Sequence, residues 1–128
     1  MSQGILINNV HIFDGHNEKV IYGNILIKDN QIKTISESPI PINDGNDTII
    51  DGQQKFLMPG LIDAHWHAYM ACNTMIDLLT ADTAYTQFKA GQEAGATLLR
   101  GFTTIRDAGG PVFGLKRAID EGIIIGPR

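Results

Sequence analysis

Short apolar segments separated by turn-forming residues fill the first 58 positions of the chain. Six segments have the apolar character of short strands: Gly4–Val10, Ile12–Phe13, Asn24–Lys28, Gln31–Ser36, Thr48–Asp51 and Lys55–Met58. Asp29-Asn30, between the third and the fourth, tolerates the positive φ angles of a tight hairpin turn. Strands this short and this closely spaced predict a small antiparallel sheet or half of a β-sandwich.

After residue 59 the elements become longer and alternate in type. Their predicted order is a strand over Leu61–Trp66, a helix from about Asp82 to Arg100, a strand over Phe102–Arg106 and a helix from Pro111 to about Glu121. Two parallel strands joined by a helical crossover require an α/β layer architecture. The second half of the chain is therefore predicted to be β-α-β-α.

The first of these helices is predicted from its side-chain spacing. Tyr85, Phe88, Leu98 and Leu99 recur at broadly helical intervals, the segment lacks proline, and Gly101 is a suitable C-terminal stop. We therefore expect one long helix between the two strands.

Composition narrows the classes of protein that are possible. The chain has 128 residues, a net charge of −4 and a single cysteine, Cys72. A complete (β/α)₈ barrel needs roughly 250 residues, so this sequence cannot contain one. Without a basic face, nucleic acid and anionic membranes are poor partners. With no intrachain disulfide, no signal peptide and no long apolar run, a soluble cytoplasmic protein is expected.

The segment Pro59–His67 carries the chemistry. On an extended strand, residues two apart point to the same side, so His65 and His67 project together while Trp66 points the opposite way. Two imidazoles at one strand end can donate two nitrogens to a divalent transition metal. Taken alone, the pattern also describes two hydrogen-bonded or partly exposed histidines. Trp66 is expected to pack between the strand and the helices.

Two segments resemble a known enzyme family. Pro59–His67 resembles the first barrel strand of the metal-dependent amidohydrolase superfamily, whose signature is Pro-Gly-[Leu/Phe]-[Ile/Val]-Asp-x-His-x-His. Gly101–Gly110 resembles the second strand and following loop of its imidazolonepropionase-like branch, which includes Xaa-Pro dipeptidases. The resemblance implies an N-terminal part of a small β-sandwich domain over residues 1–58. Residues 59–128 would then form the first β-α-β-α units of a TIM-like (β/α)₈ metal-dependent hydrolase barrel, which is incomplete.

The resemblance also implies a reaction. His65 and His67 would bind the more buried of two divalent metals, usually zinc, and a metal-bridging hydroxide would attack a carbonyl carbon. The implied substrate is a small amide or peptide, such as an Xaa-Pro dipeptide or an N-blocked amino acid. Asp63 would either orient a histidine or form a structural hydrogen bond. Arg106 and Asp107 would either form a structural ion pair or loop cap, or contact the substrate.

The chain departs from the family pattern in what it lacks. In that family the remaining metal ligands and the base come from later barrel strands, and Lys89 and Lys116 fall in predicted helices, where a metal-bridging lysine is not expected. His11 and His16 are interpreted as surface residues. We therefore expect the isolated chain to be inactive. The alternatives are a non-catalytic interaction module and one part of a split enzyme, with self-association or a completing chain as the partner.

Overall fold

The computed structural model describes residues 3–42 and 45–128, and the chain divides into two units, Met1–Pro59 and Gly60–Arg128. The strands of the first unit are β1 (Ile5–Ile12), β2 (Ile21–Lys28), β3 (Gln31–Ser36), β4 (Thr48–Asp51) and β5 (Phe56–Leu57). The elements of the second are β6 (Leu61–Trp66), α1 (Ala68–Cys72), α2 (Met75–Thr80), α3 (Thr83–Leu99), β7 (Phe102–Asp107) and α4 (Phe113–Asp120).

The first unit is a five-stranded sheet with the order β3-β2-β1-β4, in which β5 also pairs with β1. β2 and β3 form the predicted hairpin, and its turn residues Asp29 and Asn30 have φ angles of 52° and 57°. Positive φ at both positions matches the right-handed twist of the flanking strands, which explains why this pair forms the turn. The buried apolar residues of the sheet include Leu6, Val10 and Ile25.

The expectation of an antiparallel sheet is wrong for half of the strand pairs. β1 pairs with β2, and β2 with β3, in antiparallel fashion, but β4 and β5 both run parallel to β1. β1, β3 and β4 therefore share a direction, and parallel strands cannot be joined by a tight hairpin turn. Local composition cannot reveal this, because parallel and antiparallel strands of this length have similar residue preferences.

The second unit has the predicted β-α-β-α order with two short helices added. β6 and β7 are parallel, with Asp63 opposite Ile105 and Trp66 opposite Asp107. Two short helices, α1 and α2, were not predicted. α2 begins with a capping box between Thr74 and Asp77, a signal that the sequence does contain.

The packing of α3 differs from what its large side chains suggest. Its buried residues are small: Thr86, Ala90, Gly91, Ala94 and Thr97. Three of the large residues at helical spacing are exposed instead, namely Tyr85, Phe88 and Leu99, at 53%, 77% and 90%. Small side chains allow the helix to approach α1 and the sheet closely, so the packed face of α3 is the small-residue face.

The core of the second unit forms around α1. Buried Ala68, Tyr69, Ala90, Ala94 and Leu115 cluster together, and Trp66 packs against this cluster as predicted. On the edge of β7 that β6 does not use, the backbone N–H of Arg128 donates to Thr103 O, and Ile105 N–H donates to Arg128 O. Arg128 therefore lies where a third parallel strand would pair with β7.

Candidate metal site

Two histidine rings meet where β6 ends. His65 lies within the strand, and His67 follows it as the residue that precedes α1. Their Nε2 atoms are 3.3 Å apart, and the rings meet edge to face with centroids 5.1 Å apart. His65 is exposed and His67 is half-buried. The structure thus brings together the two side chains that strand alternation placed on one side.

A backbone carbonyl determines which nitrogen of His67 carries the proton. The Nδ1 atom of His67 lies 3.1 Å from the carbonyl oxygen of Gly109. A carbonyl oxygen can only accept, so Nδ1 must be the protonated nitrogen in this contact. The Nε2 atom of His67 then presents a lone pair towards His65. This is the arrangement that a metal-binding histidine uses, with its second nitrogen held by a backbone carbonyl.

The spacing of the two nitrogens fits a tetrahedral metal ion. Zinc–nitrogen bonds of ~2.0–2.1 Å at a tetrahedral angle place two ligand nitrogens about 3.3–3.4 Å apart. The observed 3.3 Å between the Nε2 atoms lies in this range. In the metal-free chain the same distance allows a hydrogen bond from His65 Nε2–H to the lone pair of His67. Among residues 3–42 and 45–128, no group of three or more His, Cys, Asp or Glu side chains could hold a metal. The pair would therefore supply two of the four ligands of a tetrahedral site.

Asp63 contacts the backbone of the site. Its Oδ1 atom accepts a hydrogen bond of 3.0 Å from the N–H of His65. Asp63 was expected either to orient a histidine ring or to form a structural hydrogen bond. The observed contact is a structural hydrogen bond, because it joins Asp63 to the backbone of His65. A role for Asp63 in catalysis stays a prediction.

Asp107 caps the loop that faces His67. One carboxylate oxygen accepts from Ala68 N–H at 2.8 Å, and the other accepts from Gly109 N–H at 3.0 Å. Arg106 donates from Nη1 to Ala64 O at 3.3 Å and forms no ion pair with Asp107 in the part of the chain that the structure describes. Of the alternatives for these residues, Asp107 therefore has the loop-cap geometry.

The link from Asp107 through Gly109 to His67 was not foreseen from the sequence. Its signal is the Asp-Ala-Gly-Gly segment directly after β7, in which an acceptor precedes small residues.

The other histidines lie in the first unit. The ring of His11 lies between those of Tyr22 and Phe56, with centroid distances of 5.1 and 5.2 Å. The backbone N–H of His16 donates to the carboxylate of Asp14 in an exposed loop. His16 is exposed, as interpreted, but His11 is half-buried because its ring packs against two aromatic rings, so its interpretation as a surface residue is only partly right.

The remaining candidates of the second unit have ordinary structural contacts. Lys89 pairs with Asp77 at 3.3 Å, and Lys116 pairs with Asp120 one turn along α4. Burial raises the pKa of the Cys72 thiol above its usual value, which disfavours the reactive thiolate.

A cavity of about 200 Å³ lies beside β7 and α4, and neither of the two histidines is among its lining residues. Its lining is mainly apolar and includes Val112, Phe113 and Leu115, with Lys116 and Arg128 among its charged residues. Its lining also includes Asp107, whose carboxylate contacts the backbone next to His67.

Two parallel strands joined by a helical crossover, with ligand-type side chains where the first strand ends, match the end of an α/β barrel at which active sites lie. The amidohydrolase family model matches residues 56–128, more than half of the chain, and the chain belongs to the amidohydrolase family. This is a family of enzymes that generally use a divalent metal.

The relatives agree on the family and differ in substrate. A 5-methylthioadenosine/S-adenosylhomocysteine deaminase of Thermococcus kodakarensis is 36% identical over 66 residues, which are 52% of this chain and 15% of that protein. A solved amidohydrolase is 35% identical with a TM-score of 0.84, over 98% of this chain and 30% of that one. An Xaa-Pro dipeptidase with bound methionine is 30% identical with a TM-score of 0.82, over 98% of this chain and 32% of the other.

The chain thus spans about a third or less of the proteins it matches. None of the helices in the described residues has the length and apolar character of a membrane span. The cytoplasmic location stays a prediction.

Proposed function

We propose that this chain carries the first two metal ligands of a hydrolase that cleaves a carbon–nitrogen bond in a small molecule. The observation that carries this proposal is the distance of 3.3 Å between the Nε2 atoms of the two histidines. The contact of His67 Nδ1 with Gly109 O leaves the lone pair of the neutral ring on Nε2. His65 and His67 are the proposed ligands, and zinc is the proposed metal because imidazole nitrogen at tetrahedral spacing suits it.

A peptide or amide is the favoured substrate class. The solved Xaa-Pro dipeptidase is similar to this chain in structure over 98% of its length and is 30% identical to it. This likeness supports an Xaa-Pro dipeptide or N-blocked amino acid. An aminated nucleoside is the second candidate, since the deaminase is 36% identical where it does align.

The residues of this chain have distinct parts in such a mechanism. A bound divalent ion would supply a water of lowered pKa and would polarise the carbonyl of the substrate. His65 and His67 would hold the ion by Nε2, and the contact with Gly109 O keeps the proton of His67 on Nδ1. Asp63 holds the backbone of His65. The base and the remaining ligands are not among these residues, so the isolated chain is proposed to be inactive.

Calorimetric titration of zinc or cobalt into the 128-residue chain tests the site. Closed structural zinc sites provide about 10–16 kcal/mol, so half of the ligand shell provides roughly 5–8 kcal/mol, or a Kd between about 0.2 mM and 1 μM. We expect one such site, lost in His65→Ala and in His67→Ala and retained in the control His16→Ala. Binding that survives both of the first two substitutions would refute the ligand assignment. Nanomolar binding would show that further ligands exist.

Activity is tested with the same proteins. We expect no turnover of Xaa-Pro dipeptides, N-acyl amino acids or aminated nucleosides by the zinc-loaded chain. Turnover that His65→Ala abolishes would contradict the proposal that the site is incomplete, and its substrate would identify the class.

A second proposal concerns association, and exposed apolar surface in the second unit favours it. Large apolar side chains there are more than two-thirds exposed: Ile62, Met75, Ile76, Leu79, Phe88, Leu99, Phe113, Ile123 and Ile125. Large exposed apolar surface marks sites of association on soluble proteins. Self-association or a completing chain would cover them, as expected for an interaction module or a part of a split enzyme.

A further inference from the structure

One carboxylate joins the two backbone segments on either side of His67. Asp107 ends β7, and its side chain accepts from Ala68 N–H at 2.8 Å and from Gly109 N–H at 3.0 Å. Ala68 follows His67 directly in the chain, and the carbonyl oxygen of Gly109 accepts from the ring of His67. The ring of His67 therefore lies between two segments that the same carboxylate fixes.

The first of these bonds replaces a missing helix cap. His67 occupies the N-cap position of α1, where a side chain would ordinarily accept from the free N–H groups of the first turn. The ring of His67 makes no such bond, because its two nitrogens face Gly109 O and His65. Asp107 satisfies the N–H of Ala68 instead, so the ring is free to face the site.

The second bond aims the carbonyl. The N–H of Gly109 donates to the carboxylate of Asp107, and the carbonyl oxygen of Gly109 accepts from His67 Nδ1–H. Gly110 follows with φ +126°, a conformation that residues with a side chain rarely adopt, and this turns the chain away after the carbonyl. Without the anchor at Asp107, the short loop would lose the contact that fixes the direction of this carbonyl.

The direction of the carbonyl matters because a neutral imidazole can carry its proton on either nitrogen. A metal ion binds the unprotonated one. If Nδ1–H loses its acceptor, the Nε2–H form becomes populated, and that form cannot bind a metal through Nε2. The position of the Gly109 carbonyl in the loop therefore determines the tautomer of His67.

We propose that Asp107 is a positioning residue, which holds Gly109 O against His67 and so keeps the Nε2 lone pair of His67 directed into the metal site. This inference rests on the proposed function for its purpose, although the tautomer itself can be measured without metal. Asp107 acts through the loop and touches neither the metal nor the substrate.

Nitrogen-15 NMR of the histidine rings in the metal-free 128-residue chain tests the inference. We expect His67 to carry its proton on Nδ1 in the wild type. In Asp107→Asn, whose amide keeps one acceptor oxygen in place of two, we expect a mixture of the two tautomers and faster amide exchange at Ala68 and Gly109. Zinc affinity should fall by roughly tenfold or more, as for other residues that orient a metal-binding histidine.

The matched control is Asp14→Asn, which removes a carboxylate that caps two backbone N–H groups in a loop of the first unit. It should leave the His67 tautomer and the zinc affinity unchanged. A wild-type His67 protonated on Nε2 would overturn the inference with no variant needed, even if Asp107→Asn failed to fold. A folded Asp107→Asn with unchanged tautomer and affinity would also overturn it.

The two proposals fail in different ways. If the wild type binds no zinc but Asp107→Asn still changes the tautomer, the metal function is wrong and the positioning role stands. If zinc binding requires His67 but is indifferent to Asp107, the function stands and the positioning role is wrong.

Discussion

The close approach of Gly60 to β7 leads to a sharp prediction about stability. A Cβ atom built on Gly60 would lie 1.9 Å from Thr103 Oγ1, 2.3 Å from its Cγ2 and 2.6 Å from its Cβ. A rotation of the Thr103 side chain relieves the first two contacts, but the third involves the atom attached to the backbone. Gly60→Ala therefore forces the strands apart next to the hydrogen bond from Leu61 N–H to Gly101 O.

The magnitude follows from these contacts. Overpacking of this kind costs about 1–3 kcal/mol. Weakening the adjacent backbone hydrogen bond adds about 1 kcal/mol. We expect Gly60→Ala to lower the free energy of unfolding of the second unit by about 2–4 kcal/mol, the sum of these two effects.

Urea unfolding followed by the fluorescence of Trp66 measures this loss. Trp66 is the single tryptophan of the sequence and packs in the core of the second unit, so its signal reports on that unit. The control is Gly114→Ala in α4, where an added Cβ meets nothing within 4 Å. It should stabilise the helix by roughly 0.5–1 kcal/mol.

A double variant checks the cause. Thr103→Gly removes all three clashing atoms, so it should recover more than ~1 kcal/mol when combined with Gly60→Ala. A Gly60→Ala protein within ~0.5 kcal/mol of the wild type would refute the reasoning, because exposed positions without special contacts behave that way. Additive effects of the two substitutions would refute the assignment to Thr103.

Three further predictions concern acid, thiol chemistry and association. Backbone hydrogen bonds from Asn17 and His16 lower the pKa of Asp14 to about 2, so its contribution to stability is complete above its unfolded pKa of about 3.8 and is lost as the pH falls towards 2. Carbon-13 NMR titration should show that midpoint, and a midpoint near 4 would contradict the loop geometry. Because burial raises the pKa of Cys72, its reaction with a disulfide reagent at pH 7 should be slower than that of a free thiol, with rapid reaction as the contrary result. Light scattering of the isolated chain should show oligomers, because side chains such as Leu99 and Phe113 are 90% and 82% exposed; a stable monomer at high concentration would contradict this.

The two kinds of relative leave one chemical question for the site. A deaminase and a dipeptidase both hydrolyse a carbon–nitrogen bond, and the same pair of histidine nitrogens could serve either reaction. In the proposed site, His65 and His67 would hold the metal from one side. The relatives agree on the family and differ in substrate, so the substrate of this chain stays a proposal.

Much of the local structure could be predicted from sequence alone. The bounds of β6, the β2–β3 hairpin at Asp29-Asn30, and the long helix after Asp82 each depend on residues within a few positions of one another. Turn propensity, helix capping and strand alternation act over such short distances, so a short stretch of sequence contains them. Alternation also placed His65 and His67 on one side, and the resemblance of Pro59–His67 identified the family.

Tertiary structure decided what depends on residues far apart in the chain. β4 lies parallel to β1, a choice made by the crossover connection and not by the composition of either strand. α3 packs by Ala90 and Ala94 and leaves Phe88 exposed, because close approach to α1 favours small side chains over large ones. The bonds from Ala68 and Gly109 to Asp107, and from His67 to Gly109, are formed only after β6 and β7 pair, since the first and last of them join residues about 40 positions apart. Residue types and spacing could predict His65 and His67 as candidate ligands. The orientation of their ring nitrogens depends on contacts that exist only in the folded chain.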